Sequence, residues 1–120
     1  MRSDPKPNFK FFQTFRKPPV CECGGLLKPA TISFGQSLND PDIARARDFE
    51  TKADLVIALG SMLSVQPAAN IPLLAVRAGA QYVIINQGST DPDNYPSVTL
   101  RIKEEVGVFF VPAVRATLAS

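Results

Sequence analysis

Two uninterrupted apolar runs, DLVIALG (54–60) and QYVIIN (81–86), constrain this chain more than any other feature of its 120 residues. A strand with one wet face alternates apolar and polar residues. These runs do not alternate, so they suit strands buried on both faces, as in a parallel sheet. SVTLRI (97–102) and the short, β-branched ATISF (30–34) extend the series. Helical segments lie between the strands. Asn39 or Asp40 can cap a first helix with Pro41 at its opening position, and Ile43, Ala46, Phe49 and Ala53 then fall along one face. A second helix runs from Pro67 to Ala78 and is closed by Gly79, with Pro72 expected to distort its first turns. A third covers Glu104 to Leu118, with an apolar stripe of Val106, Phe109, Phe110, Ala113 and Val114 and an expected kink at Pro112. This alternation predicts an α/β fold: half of a doubly wound, Rossmann-like parallel sheet of three to four strands with about three helices. Leu55, Val56, Ile57, Leu59, Val83, Ile84 and Ile85 are expected in its core.

Composition bounds the rest. Apolar residues make up 45% and charged residues 20%, the balance of an ordinary globular chain with room for one modest domain. A net charge of +2 is too small to argue for direct nucleic acid binding or an acidic membrane surface. Residues 1–20 hold Arg2, Lys6, Lys10, Arg16 and Lys17 against Asp4 alone, among Pro5, Pro7, Pro18 and Pro19. Prolines that dense block a regular helix, so this stretch reads as an irregular lead-in whose Phe9, Phe11, Phe12 and Phe15 cover a neighbouring apolar surface. No stretch nears the roughly 20 apolar residues that span a bilayer. With no export signal and two closely spaced cysteines, the expected location is cytoplasmic. The expected organisation is a lead-in (1–20), a cysteine-bearing knuckle (21–29) and a Rossmann-like region (30–120).

The knuckle is CECGGLLKP, residues 21–29. A C-x-C disulfide closes a tight, strained ring, so Cys21 and Cys23 are read either as half of a zinc site or as two ordinary thiols. A structural zinc site normally takes four ligands, and the chain holds no other cysteine and no histidine. In open α/β sheets, ligands bind beyond the carboxyl ends of the strands. The three loops expected there are FGQSL (34–38), GSML (60–63) and NQGST (86–90), where Gly60 permits close backbone approach and the amides and hydroxyls suit ribose or phosphate. Together they point to a nucleotide-like ligand. The runs DIARARDFETK (42–52) and KEEVG (103–107) read as solvated helix faces.

CECGGLLKP…ISFGQSL, ADLVIALGSMLSVQPAANIP and GAQYVIIN, in that order and at that spacing, resemble the C-terminal half of a sirtuin over roughly residues 18–118. Sirtuins are NAD-dependent protein lysine deacylases. The resemblance implies that an acylated-lysine peptide adds as a strand between Phe34 and Gly35 on one side and Leu63, Ser64 and Val65 on the other, held by main-chain hydrogen bonds. It further implies cofactor contacts at Gly60, Ser61, Asn86 (by the adenosine ribose) and Val106 (by the adenine), and zinc ligation by Cys21 and Cys23. Gln36 stands where the family usually has glutamate, and Ser61-Met62 where it has Thr-Ser. The cysteines are spaced C-x-C rather than C-x-x-C, with Val20 at the place of the outer cysteine. The family's glycine-rich cofactor loop, histidine base and first cysteine pair have no counterpart, so the other half of the knuckle is expected upstream of Met1. No catalytic residue is assigned, and these residues alone are expected not to catalyse deacylation.

Two other readings stay open. The strand and turn ADLVIALGSML also resemble the central cofactor-binding domain of thiamine-diphosphate enzymes, which lack the cysteine-glycine element and the FGQSL loop. The chain could also be a non-catalytic nucleotide-binding or interaction module that completes its sheet with a partner chain or as a homo-oligomer.

Overall fold

The computed structural model describes residues 17–120, and the basic lead-in with its four phenylalanines lies largely outside them. The chain divides into two compact units, Met1–Ser37 and Leu38–Ser120.

In the second unit, helices and parallel strands alternate: α1 (Asp40–Lys52), β1 (Leu55–Leu59), a 3-10 turn (Ala68–Asn70), α2 (Ile71–Arg77), β2 (Gln81–Ile85), a second 3-10 turn (Asp91–Asn94), β3 (Leu100–Ile102) and α3 (Val106–Ala119). The sheet order is β1-β2-β3, both pairings parallel, with Val56 opposite Tyr82, Ala58 opposite Ile84 and Ile84 opposite Arg101. Three strands and three helices match the expected half of a doubly wound sheet.

ATISF (30–34) is not a strand. Its residues are exposed, with no strand partner among the described residues, and the chain instead turns where Gln36 N–H donates to Ser33 O (3.0 Å). The second helix opens later than expected. Pro72 lacks the N–H an interior position requires, so it occupies the first turn of α2, and residues 68–70 form a separate 3-10 turn. Asn39 caps α1 by position, but its side-chain Nδ2 donates to Asp42 Oδ2 (3.1 Å) rather than binding the helix backbone.

The core forms on one sheet face. Val56, Tyr82 and Ile84 meet Ala75 and Ala80, with Leu73, Val76, Ala53 and Val98 packed around them. Small Ala75, fully buried, lets α2 approach the sheet closely. The expectation that every apolar strand residue is core is corrected on the opposite face. There Leu55, Ile57 and Leu59 keep 46%, 40% and 39% of their surface exposed. Their side chains alternate with Val56 and Ala58, and the helix that lines that face among the described residues, α3, buries none of its own residues. A groove of about 450 Å³ therefore lies between that face and α3, lined by Ile57, Val83, Ile85 and Phe109 among others.

Candidate functional site

The carboxyl ends of β1 and β2 and the start of α3 converge. Gly60, just past β1, turns at φ +62°, and its N–H donates to Ile85 O (2.9 Å). A Cβ at Gly60 would stand 3.5 Å from Val106 Cγ2, so these two sequence-predicted positions are neighbours. Val106 opens α3, whose N-cap is Glu105, with its carboxylate accepting from Gly107 N–H (3.0 Å). Asn86, just past β2, donates its backbone N–H to Ile102 O (3.1 Å). The exposed Ser61 hydroxyl caps its own turn, accepting from Leu63 N–H (3.1 Å). Leu63 itself has φ +56°, a left-handed conformation that costs a residue with a Cβ roughly 1–2 kcal/mol.

The loop after β2 is held by a polar network absent from the sequence reading. Arg101 on β3 donates from Nε to Asp93 Oδ1 (2.6 Å), from Nη1 to Asn86 O and Ile102 O (2.7 Å each), and from Nη2 to Gly88 O. Asp93 also accepts from the Thr90 backbone N–H (3.1 Å) and from the Thr90 hydroxyl. The Arg101 guanidinium, followed by the two Thr90 donors, holds the Asp93 carboxyl well below the usual carboxylate range. Asn86 Nδ2 donates to Gly88 O (3.1 Å), so one carbonyl serves both Asn86 and Arg101. Asp91 N–H donates to Met62 O (3.0 Å), joining this loop to the turn after β1. Thr90-x-x-Asp93 is a capping-box spacing and could have been found in the sequence. The approach of Arg101 to residues 86–93 depends on strand register and could not.

In the first unit the knuckle is a tight turn. Cys21 N–H donates to Gly25 O (2.7 Å), Gly24 N–H donates to Cys21 O (2.8 Å), and Val20 bridges Leu26 in antiparallel fashion. Gly24 takes φ +85°, which its lack of a Cβ permits. The Gly25 backbone N–H, and then the Cys21 thiol, pull the Cys23 thiol below its ordinary value. Two close thiols, one of them eased toward thiolate, fit half of a tetrahedral thiolate site. Among the described residues no group of three or more His, Cys, Asp and Glu side chains is placed to hold a metal ion. Phe34 (90% exposed) and Gly35 (φ +81°) also lie in the first unit, whereas Leu63, Ser64 and Val65 lie in the second, with Val65 O accepting from Ala69 N–H (2.9 Å).

A model of the Sir2 family matches residues 5–67, more than half of the chain. The chain belongs to the Sir2 family. It is 43% identical over 89 residues to an NAD-dependent protein deacetylase of Oceanobacillus iheyensis, covering 74% of this chain and 37% of that protein. Among solved structures, it superposes on Sir2 with a p53 peptide and NAD+ with a TM-score of 0.74 at 33% identity, over 92% of this chain and 45% of that one. For Sir2 bound to acetylated peptide the TM-score is 0.73 at 35% identity, over 86% and 43%. This Sir2-family chain thus spans less than half the length of these relatives. No helix among its described residues is long and apolar enough to cross a membrane.

Proposed function

We propose that this Sir2-family chain contributes the C-terminal, Rossmann-type part of an NAD-dependent protein lysine deacylase. The observation that supports this best is the convergence of Gly60, Asn86 and Val106 at the carboxyl edge of a parallel sheet, where open α/β folds bind nucleotides. In this reading Gly60, which carries no side chain, lets a nucleotide approach the backbone beside Val106. Asn86 meets the adenosine ribose, and Ser61 shapes the turn by accepting from Leu63 N–H. NAD, when bound, supplies the ADP-ribosyl group that accepts the acyl group from lysine. Phe34, Gly35, Leu63, Ser64 and Val65 offer main-chain groups to the acylated peptide. Cys21 and Cys23 would hold a zinc ion of purely structural role. With no histidine to act as base, these 120 residues alone bind but do not turn over an acetyl-lysine peptide.

Calorimetric titration of the purified chain with NAD and with ADP-ribose tests the reading. Saturable binding that G60V abolishes is expected, and no binding of either ligand refutes the half-pocket. On the same sample, cobalt(II) should give thiolate charge-transfer absorption that C23S removes.

A second reading, completion of the fold by another chain, is favoured by the exposure of Leu55, Ile57, Leu59 and Leu100 on one sheet face. Sedimentation equilibrium distinguishes it, since a stable dimer supports that reading and a monomer at all concentrations argues against it.

A further inference from the structure

Arg101 is not among the residues that the family resemblance brings to the cofactor, yet it makes more side-chain hydrogen bonds than any other described residue around the candidate pocket. Its side chain is only 13% exposed. Four of its five N–H donors are engaged, three of them by the main-chain carbonyls of Asn86, Gly88 and Ile102 and the fourth by Asp93. Ile102 O accepts from Asn86 N–H as well, so Asn86 is gripped through its own carbonyl and through the acceptor of its own N–H.

The consequence falls on the Asn86 side chain. Its Nδ2 donates to Gly88 O, the carbonyl that Arg101 Nη2 also holds. That bond uses one of the two Nδ2 hydrogens and fixes the carboxamide's orientation, while Oδ1, its acceptor, receives no hydrogen bond among the described residues and is open to a donor from outside. We propose that Arg101 is a positioning residue: it fixes the Gly88 carbonyl, and thereby the Asn86 carboxamide, so that Oδ1 meets a hydroxyl-donating sugar and favours a ribose over its deoxy form. This rests on the reading that Asn86 faces the nucleotide's ribose. A lysine could not replace this arginine, because a single ammonium cannot span Asp93, Asn86 and Gly88 together, whereas the planar guanidinium fork does.

The test uses the full chain as wild type, R101K and R101M, the last keeping the apolar stem. Two readouts are taken by nitrogen-15 NMR. The first is hydrogen exchange of the Asn86 side-chain amide in the free protein, which is expected to be slowed in wild type and to lose that protection in both variants. The second is titration with AMP and with 2′,3′-dideoxy-AMP. Wild type is expected to prefer AMP by about three- to tenfold, the worth of one hydrogen bond. In R101K and R101M that ratio should fall toward one while affinity for the dideoxy nucleotide holds. A merely structural role for Arg101 would weaken both nucleotides equally, and that outcome overturns the proposal, as does an unchanged ratio. If wild type binds neither nucleotide, the ribose reading of Asn86 falls, and the exchange data alone decide whether Arg101 positions the carboxamide. Retained protection in both variants would sink it. Backbone amide shifts at Val56 and Ala75, far from the loop in sequence, report whether each variant is folded.

Discussion

Tyr82 carries its hydroxyl into the core without a hydrogen-bond partner, as does Glu50 with one carboxylate oxygen. Burial, and then the negative charge of Glu50, push the Tyr82 hydroxyl up to about 12 from its ordinary 10. An unpaired buried hydroxyl costs on the order of 1 kcal/mol or more, so Y82F is expected to raise unfolding stability by about 1 kcal/mol in urea denaturation at pH 7. It should also remove the loss of stability that wild type suffers as pH rises past 10, where the unfolded tyrosine ionises and the folded one resists. A stability loss in Y82F would show that the hydroxyl is satisfied. Asp93 and Glu50 titrate with opposite sign. The folded Asp93 carboxyl lies far below its ordinary 3.8, so its contribution is complete above that pH and is lost as pH falls further. Burial raises the Glu50 carboxyl above its ordinary 4.5, so folding is penalised once pH rises past that value. D93N is therefore expected to lower the melting temperature at pH 7 and to flatten its fall below pH 4. E50Q is expected to raise the melting temperature at pH 7 and leave it unchanged below pH 4. Thermal melts across pH 2–8 check both signs.

At the scale of elements, the period of α1 decides which residues it turns inward. Ile43, Ala46 and Glu50 lie on the half-buried face, while Phe49 stays 68% exposed. Of the expected stripe of Ile43, Ala46, Phe49 and Ala53, only Phe49 departs, since Ala53 packs against the core. The helical repeat instead brings 43, 46 and 50 into line, which puts a carboxylate against the core. The end of α2 follows its sequence signal closely. Ala78 caps the helix, and Gly79 takes φ +102° with its N–H donating to Val76 O (3.0 Å). Nothing crowds a Cβ at that position, so the cost of G79A is conformational alone. It is expected to be about 1 kcal/mol, read from the shift in urea midpoint at constant slope. A larger loss would mean that the substitution disturbs packing as well.

For the whole second unit, the two faces of the sheet carry unequal shares of stability. Ile84 is fully buried, whereas Ile57 is 40% exposed on the opposite face. I84A is expected to cost about 2–5 kcal/mol and I57A less than half as much, and chemical denaturation of the pair measures the difference. Equal losses would mean that the second face is covered in solution. The alternation of strands and helices, the closing glycine of α2 and the turn residues after β1 and β2 were legible in the sequence because each is encoded locally, by hydrophobic period, missing side chains or capping chemistry. Membership of the Sir2 family was legible too, since it rests on motifs in order. The tertiary structure alone decided which sheet face is covered, because β1 supplies apolar side chains to both faces and only packing distinguishes them. It also decided three of the partners of Arg101, namely Asp93, Gly88 and Asn86, which lie eight to fifteen residues away in sequence. No local pattern brings a guanidinium to Asn86 and Gly88; the parallel register of β2 and β3 does.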